Sequence, residues 1–343
     1  MIEINFKNIC KITFVIVGTI IGAGFASGQE IYTFFNKYGF EGLIGICISI
    51  FLMSYIIYKT FKIVIENDVN NYEDFIQKIM PERFRKNKIL NYTINNIINI
   101  FLLICFNIMV AGFATYFVQE LNISKWIGTI IIAFLTLITL SNSINGVIKI
   151  NTYLIPLIIL LIIFLGINKI KYTQIVPIEN TSSIHWIISS ILYASYNSIT
   201  LIPILISLKR QLSTKKEAML TSFLVGTIML VLSIIIFLLM NTFLKEIFQI
   251  EIPIVYIANT LGTGFKYIYG IVILIAIFTT AIGSGYGFLA NVTKKRKTYM
   301  ICAILMCLVS IFIGQMSFSN LVNILYPIFG YLGIAQIIFL IMT

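Results

Sequence analysis

Charge is the scarcest commodity in these 343 residues. Only 11% are Asp, Glu, Lys or Arg, against roughly 25% in soluble domains. With 59% hydrophobic residues and a mean hydropathy of +0.98, so few charges cannot cover a water-soluble fold of this size. That excludes a cytosolic enzyme, a secreted domain and a disordered chain. Histidine occurs once, as His185 beside Trp186, where an interfacial anchor is the expected role. One histidine and few buried carboxylates leave neither a metal cluster nor a catalytic pair, so no enzyme is expected. The five cysteines, Cys10, Cys47, Cys105, Cys302 and Cys307, never stand in CxxC spacing. They read as packing residues, not as zinc ligands or a disulfide framework. Acidic residues are also fewer than basic ones, giving a net charge of +11. The basic residues fall in short clusters between apolar runs and form no basic face, so nucleic acid is not an expected partner.

What the chain has in abundance is long apolar runs. A helix needs about 20 apolar residues to cross a bilayer. Ten runs qualify, at roughly 12–35, 40–61, 90–118, 124–142, 147–168, 185–208, 218–242, 264–290, 298–315 and 320–342. They are apolar on all sides and twice the length of a barrel strand, so the expected class is an all-α membrane protein. A cytoplasmic N-terminus puts 18 of the 24 Lys and Arg residues in inside loops, among them Arg83, Arg85, Lys86, Lys209, Lys215 and Lys295, and 6 outside. That asymmetry supports ten spans with both termini inside a bacterial-type plasma membrane. A cleavable signal peptide in the first run is the competing reading. Phe75, Ile76 and Ile79 predict a short amphipathic helix in the longest polar stretch, 62–89, with a solvated connector as the alternative. Residues 252–257 read as a short helix lying on, or re-entering, the outer face.

Two runs contain poor helix chemistry. The first holds Gly18, Gly22, Gly24 and Gly28 within eleven positions, followed by Gln29 and Glu30. A straight helix would carry Glu30 within the bilayer or near its outer boundary. Even lenient scales put a charge at the bilayer centre at about 2.5–3.5 kcal/mol. An interruption near 22–28 relieves this if the unwound backbone lines a cavity. Packing of Gly18 and Gly22 on a neighbour is the plainer alternative. The sixth run carries Tyr193-Ala194-Ser195-Tyr196-Asn197-Ser198, then Pro203, and a matching break is expected there, against the alternative of a polar helix face packed on a neighbour. Gly24 and Ser195 stand 171 positions apart, half the chain. Five spans precede the sixth, so the second half enters from the opposite side. One transmembrane domain of two inverted halves, about 1–170 and 171–343, follows as the expectation.

The run Gly18-Thr19-Ile20-Ile21-Gly22-Ala23-Gly24-Phe25-Ala26-Ser27-Gly28-Gln29-Glu30 resembles the hallmark of YkvI-type bacterial membrane proteins. These belong with the amino acid–polyamine–organocation transporters and their LeuT-like fold. The resemblance implies a 5+5 inverted repeat with helices 1 and 6 broken in mid-membrane. It implies that backbone N–H groups at Ala23, Gly24, Phe25 and Ala26 meet a solute carboxylate, as half-helix ends would favour. Tyr193, Ser195, Tyr196 and Asn197 would form the opposite wall, with Phe106 and Asn107 at the side. A Na⁺ site is implied at the carbonyls of Gly18 and Ile21 together with Ala276, Thr279 and Thr280. The two hydroxyls could equally bond back to their own helix. Many relatives carry proline where this chain has Gln29-Glu30. Glu30 is then a candidate for ion coupling as a proton carrier, for pairing with a cationic solute, for an outer gate, or for capping the second half-helix.

The expected function is a secondary active transporter of small amino-acid-like solutes, working by alternating access with Na⁺ or H⁺ as the coupling ion and no other cofactor. Its partners are the solute and the lipid bilayer. The alternative is a sensor of the same fold, like the spore-germination receptor subunits of this superfamily, which binds a solute without moving it.

Overall fold

Each of the ten apolar runs is helical in the computed structural model. It describes residues 6–69, 71–81, 88–141, 145–171, 173–175, 177, 184–212, 214–293 and 295–343. Arg83, Arg85, Lys86 and Lys294, counted above among the inside charges, lie outside the described residues. The first run is three pieces: α1 (Phe6–Ile20), α2 (Ala23–Ser27) and α3 (Gln29–Phe34). Then come α4 (Phe40–Glu66), α5 (Tyr72–Ile79), α6 (Lys88–Leu121), α7 (Lys125–Ser141) and α8 (Asn145–Lys169). The second half holds α9 (His185–Ser207), α10 (Lys215–Thr242), α11 (Pro253–Asn259), α12 (Thr263–Val292), α13 (Arg296–Ile313) and α14 (Phe318–Met342). Among the described residues, seven helices are long and apolar enough to cross a membrane: α4, α6, α9, α10, α12, α13 and α14. The apolar helices of α7 and α8 are shorter.

The outward faces carry large apolar side chains. Phe51, Phe134, Phe223, Phe312 and Ile341 are all exposed. In water such a belt would be an aggregation surface, whereas in lipid it is the solvated face. Inward, small residues let helices approach closely. A Cβ on Gly128 of α7 would sit 2.7 Å from Ala114 Cα of α6. One on Gly330 of α14 would meet Leu192 O of α9 at 2.8 Å. Such approach replaces the hydrophobic drive that is missing between helices in lipid.

At one end of the molecule Asn71 caps α5 by accepting from Asp74 N at 2.8 Å. The amphipathic helix expected there buries Phe75, Ile76 and Ile79 against residues of α4, α9 and α14. Thr214 and Glu217 form a reciprocal capping box that starts α10. Lys209 pairs with Asp68, and its hydrogen bond holds the Asp68 carboxyl below the usual aspartate range. At the opposite end Lys266 pairs with Glu120 at 2.8 Å. There α11 is buried and meets α2, so it re-enters the fold and does not lie on its surface. Gln119 pins the residue before it, accepting from Ile252 N at 3.0 Å.

The expected second break is absent. Helix α9 runs unbroken from His185 to Ser207, through the whole window 193–198 and past Pro203. Its polar groups turn back onto the helix: Asn197 Nδ2 donates to Tyr193 O at 3.0 Å, Ser198 Oγ to Ser195 O at 2.7 Å and Thr200 Oγ1 to Asn197 O at 2.8 Å. Hydroxyl and amide groups can satisfy themselves this way without unwinding the backbone. A polar helix face packed on a neighbour, the plainer alternative, is what the window forms.

Candidate functional site

The site grows from the break in the first run. Ile21 N still donates to Val17 O at 2.8 Å, but Gly22 N turns to Ile20 O at 2.8 Å. Gly22 is extended, at φ −86° and ψ −172°. Helix resumes when Ala26 N donates to Gly22 O at 2.9 Å. It stops again at Gly28, whose φ of 85° suits glycine alone. A Cβ at Gly28 would also press on Ile254 Cγ1 at 2.9 Å. The break is therefore two sharp joints around a five-residue helical turn, where a continuous unwound stretch had been expected. Among the described residues no backbone N–H takes up the carbonyls of Gly18 and Ile21, the two oxygens the resemblance assigns to an ion.

Glu30 folds back across this turn. It is 3% exposed, lies beside the backbone N–H of Phe25 and accepts a hydrogen bond from the Tyr196 hydroxyl. A Cβ at Gly24 would overlap the Glu30 carboxylate, so the glycine makes room for it. Around the carboxylate, Tyr196 is the centre of a ring stack. Phe34 lies on one side at 5.6 Å and 17°, and Tyr326 of α14 on the other at 4.9 Å and 25°. Tyr193 meets Phe34, Phe35 and Tyr196 edge-on. Asn323 of α14 accepts from Thr33 and, at 3.4 Å, from Gln29. Tyr269 of α12 donates to Ala26 O at 2.6 Å.

A cavity of about 980 Å³ reaches this region from the end that holds α5. Exposed Lys11, Asn71, Glu73 and Asn291 stand at its mouth. Gly18, Thr19, Thr279 and Thr280 line it farther in, with Phe101, Ile199 and Thr200. Tyr196 is one helical turn beyond Thr200 on α9. The cavity thus approaches both the freed carbonyls and the aromatic cluster over Glu30.

Not every expected residue joins this group. Ala23, Gly24, Phe25, Tyr193, Tyr196 and Glu30 do. Ala26 lines the turn, yet its N–H is used by Gly22 O. Ser195 points toward α14, packed over Gly333. Asn197 is buried and bonded to its own helix. Asn107 lies two turns from Ala114, on the face of α6 that Gly128 of α7 touches; its amide donates to Leu103 O at 2.7 Å. Its side-chain carbonyl oxygen is buried without a hydrogen-bond partner. Thr279 and Thr280 both donate to Ala276 O, at 3.1 and 2.8 Å, while a Cβ on Gly22 would lie 3.9 Å from the Thr280 methyl. Phe34, Tyr269, Asn323 and Tyr326 belong to the cluster but were not singled out in the sequence. The signal for Tyr326 and Asn323 was polarity inside the last apolar run, just before Pro327.

No family model matches the chain. It is 26% identical over 337 residues to the uncharacterized membrane protein YkvI of Bacillus subtilis, covering 95% of this chain and 93% of that protein. The resemblance to YkvI-type membrane proteins runs the length of the chain. Another B. subtilis protein, the uncharacterized YyaD, is 24% identical over 335 residues, covering 95% and 94%. Among solved structures, this YkvI-like chain superposes on the inward-facing conformation of Mhp1 with a TM-score of 0.63 at 10% identity, covering 91% of this chain and 75% of Mhp1. A manganese transporter from Eremococcus coleocola gives 0.60 at 14% identity, covering 100% and 81%. A substrate-bound, outward-open Na⁺-coupled sialic acid symporter gives 0.58 at 14%, covering 94% and 75%. At these identities the likeness is one of fold: the YkvI-like chain has the LeuT-type transporter fold.

Proposed function

We propose that this YkvI-like chain is a secondary active transporter of small amino-acid-like organic solutes, working by alternating access. The observation that carries the reading is the cavity of about 980 Å³ that is lined by Gly18 and Thr19, just before the break in the first run, and by Thr279 and Thr280. Irregular backbone at depth is tolerated where it lines such a cavity, and a binding site beside a discontinuous helix is the recurrent transporter solution. In this reading the ten apolar runs cross the bacterial plasma membrane as one domain, α1 to α3 counting as the first crossing. They form two inverted halves, about 1–170 and 171–343, with both termini cytoplasmic. The cavity mouth at Lys11 and Glu73 then faces the cytoplasm, in an inward-open state.

Coupling to Na⁺ is supported by the chemistry of the donor set. The carbonyls of Gly18 and Ile21 lack backbone partners, and Thr279 and Thr280 line the cavity wall with hydroxyl oxygens whose lone pairs remain available. Neutral oxygens of this kind suit a monovalent cation. H⁺ coupling would instead use Glu30. The test is uptake of labelled amines and amino acids into proteoliposomes under an imposed Na⁺ or pH gradient. Accumulation above protein-free liposomes is expected. Binding without accumulation would return the sensor reading.

A further inference from the structure

We infer that the solute presents a cationic group, an amine or quaternary ammonium, to Glu30, and offers no carboxylate to the turn Ala23–Phe25. This rests on the transport reading only for the word solute; the site itself is argued from its own chemistry.

The Glu30 carboxylate already lies over Gly24 and beside the N–H of Phe25, where a solute carboxylate would have to sit. Gly24 has no side chain because Glu30 fills that space. A second carboxylate there would face a like charge at close range, with little water between them. Among the described residues the ion pairs join Lys209 to Asp68, Lys215 to Glu66 and Lys266 to Glu120, and none involves Glu30. A buried carboxylate needs pairing or hydrogen bonds. The donors beside it are the Phe25 N–H and the Tyr196 hydroxyl, both neutral. A proton or a balancing cation is therefore still to be supplied from outside the chain.

The walls point the same way. Phe34, Tyr196 and Tyr326 form a continuous stack beside the carboxylate, with Tyr193 edge-on to it. Aromatic faces attract cations and give nothing to an anion. The described lysines that lie over rings do so elsewhere, on Tyr38 and Tyr267. The Tyr193 hydroxyl is buried without a hydrogen-bond partner, able to accept from an N–H or to donate to an oxygen of the solute. In this arrangement the Tyr196 hydroxyl stands in for the solute's cationic group while the site is empty. Tyr196 lies one turn beyond the cavity-lining Thr200 on α9; Tyr196 and Glu30 do not themselves line the cavity, so an amine reaches them only when the packed rings give way.

The test uses the purified full chain in lipid nanodiscs and four probes: butylamine, choline, alanine and butyrate. Thermal stabilisation and isothermal binding are read for the parent, Glu30→Gln and Tyr196→Phe. Butylamine or choline should stabilise the parent, and butyrate should not. Glu30→Gln keeps the shape of the side chain and one acceptor oxygen but removes the charge, and should weaken amine binding by about tenfold or more, with an unliganded melting temperature near the parent's. Tyr196→Phe keeps the ring and removes the competing donor, so amine binding should be retained or tightened; a merely structural tyrosine would not tighten it. Butyrate binding as well as butylamine, no amine binding to the parent, or undiminished amine binding in a folded Glu30→Gln would each overturn the inference. Amine binding without uptake in proteoliposomes would remove the transport reading and leave the cation site standing. Uptake of a carboxylate solute that ignores Glu30 would do the reverse.

Discussion

Two segments of this chain, 18–30 and 193–203, look alike as interruptions of apolar helices, yet only one breaks. The first contains four glycines in eleven positions; the second has none and carries Tyr, Ser and Asn instead. In the first, Gly28 adopts φ 85° and Gly22 becomes extended, so the backbone itself turns. In the second, amide and hydroxyl groups donate to carbonyls three or four residues back, and α9 continues. Polarity alone therefore does not unwind a membrane helix. Left-handed or extended backbone does, and glycine is the residue that adopts it at least cost. The function of the intact helix follows from its straightness. It holds Tyr193 and Tyr196 in register as a rigid wall against the jointed one.

The sharpest way to break this comparison is at the joint. Gly28→Ala forces a side chain into φ 85° and onto Ile254. It should lower stability by about 2–4 kcal/mol, read as a lowered melting temperature in detergent. A fall of only a few tenths would mean that the joint is not held as described. Gly24→Ala is next in size, and its effect is also on function. Ala fits the helical turn, whereas its Cβ displaces the Glu30 carboxylate. Its stability should fall by about 1–3 kcal/mol as the buried carboxylate is displaced, and amine-dependent stabilisation should be lost to the extent seen in Glu30→Gln. In the straight segment, Ser198→Ala removes one bond that the helix makes to itself and should cost about 1 kcal/mol or less. A large loss there would show that the polar window has a tertiary role.

The resemblance of the two segments in sequence also explains what could be read without coordinates. Apolar run length located the long helices, and the spacing of Phe75, Ile76 and Ile79 located α5. The glycine cluster located the break in the first run, and Glu30 announced itself as a charge out of place. The α9 prediction failed because side-chain back-bonding satisfies a polar window locally, and nothing in residue type alone separates that from unwinding. For Asn107, mid-span polarity gives depth but not the direction in which a helix face points. Phe34 and Tyr326 were overlooked because an aromatic ring in an apolar run looks the same whether it packs a core or lines a site.

A control outside both segments sets the small end of the scale. Asp68 is exposed, and the Lys209 hydrogen bond keeps its carboxyl below the ordinary value. Its contribution is therefore present above the usual aspartate range, near 4, and fades as pH falls through and below it. Asp68→Asn tolerates the same left-handed backbone, φ 51°. It should leave the melting temperature near neutral pH almost unchanged and only slightly flatten its acid limb. A shift as large as that of Gly28→Ala would contradict this ranking.

The most direct measurement is amide hydrogen exchange of the full chain in nanodiscs, comparing 20–29 with 193–200. A single jointed helix beside a continuous one predicts fast exchange at Ala23 and Gly24, whose N–H groups have no backbone partner across the break, and strong protection throughout 193–200. Equal protection of both segments, or fast exchange in both, would contradict the asymmetry on which the site is built.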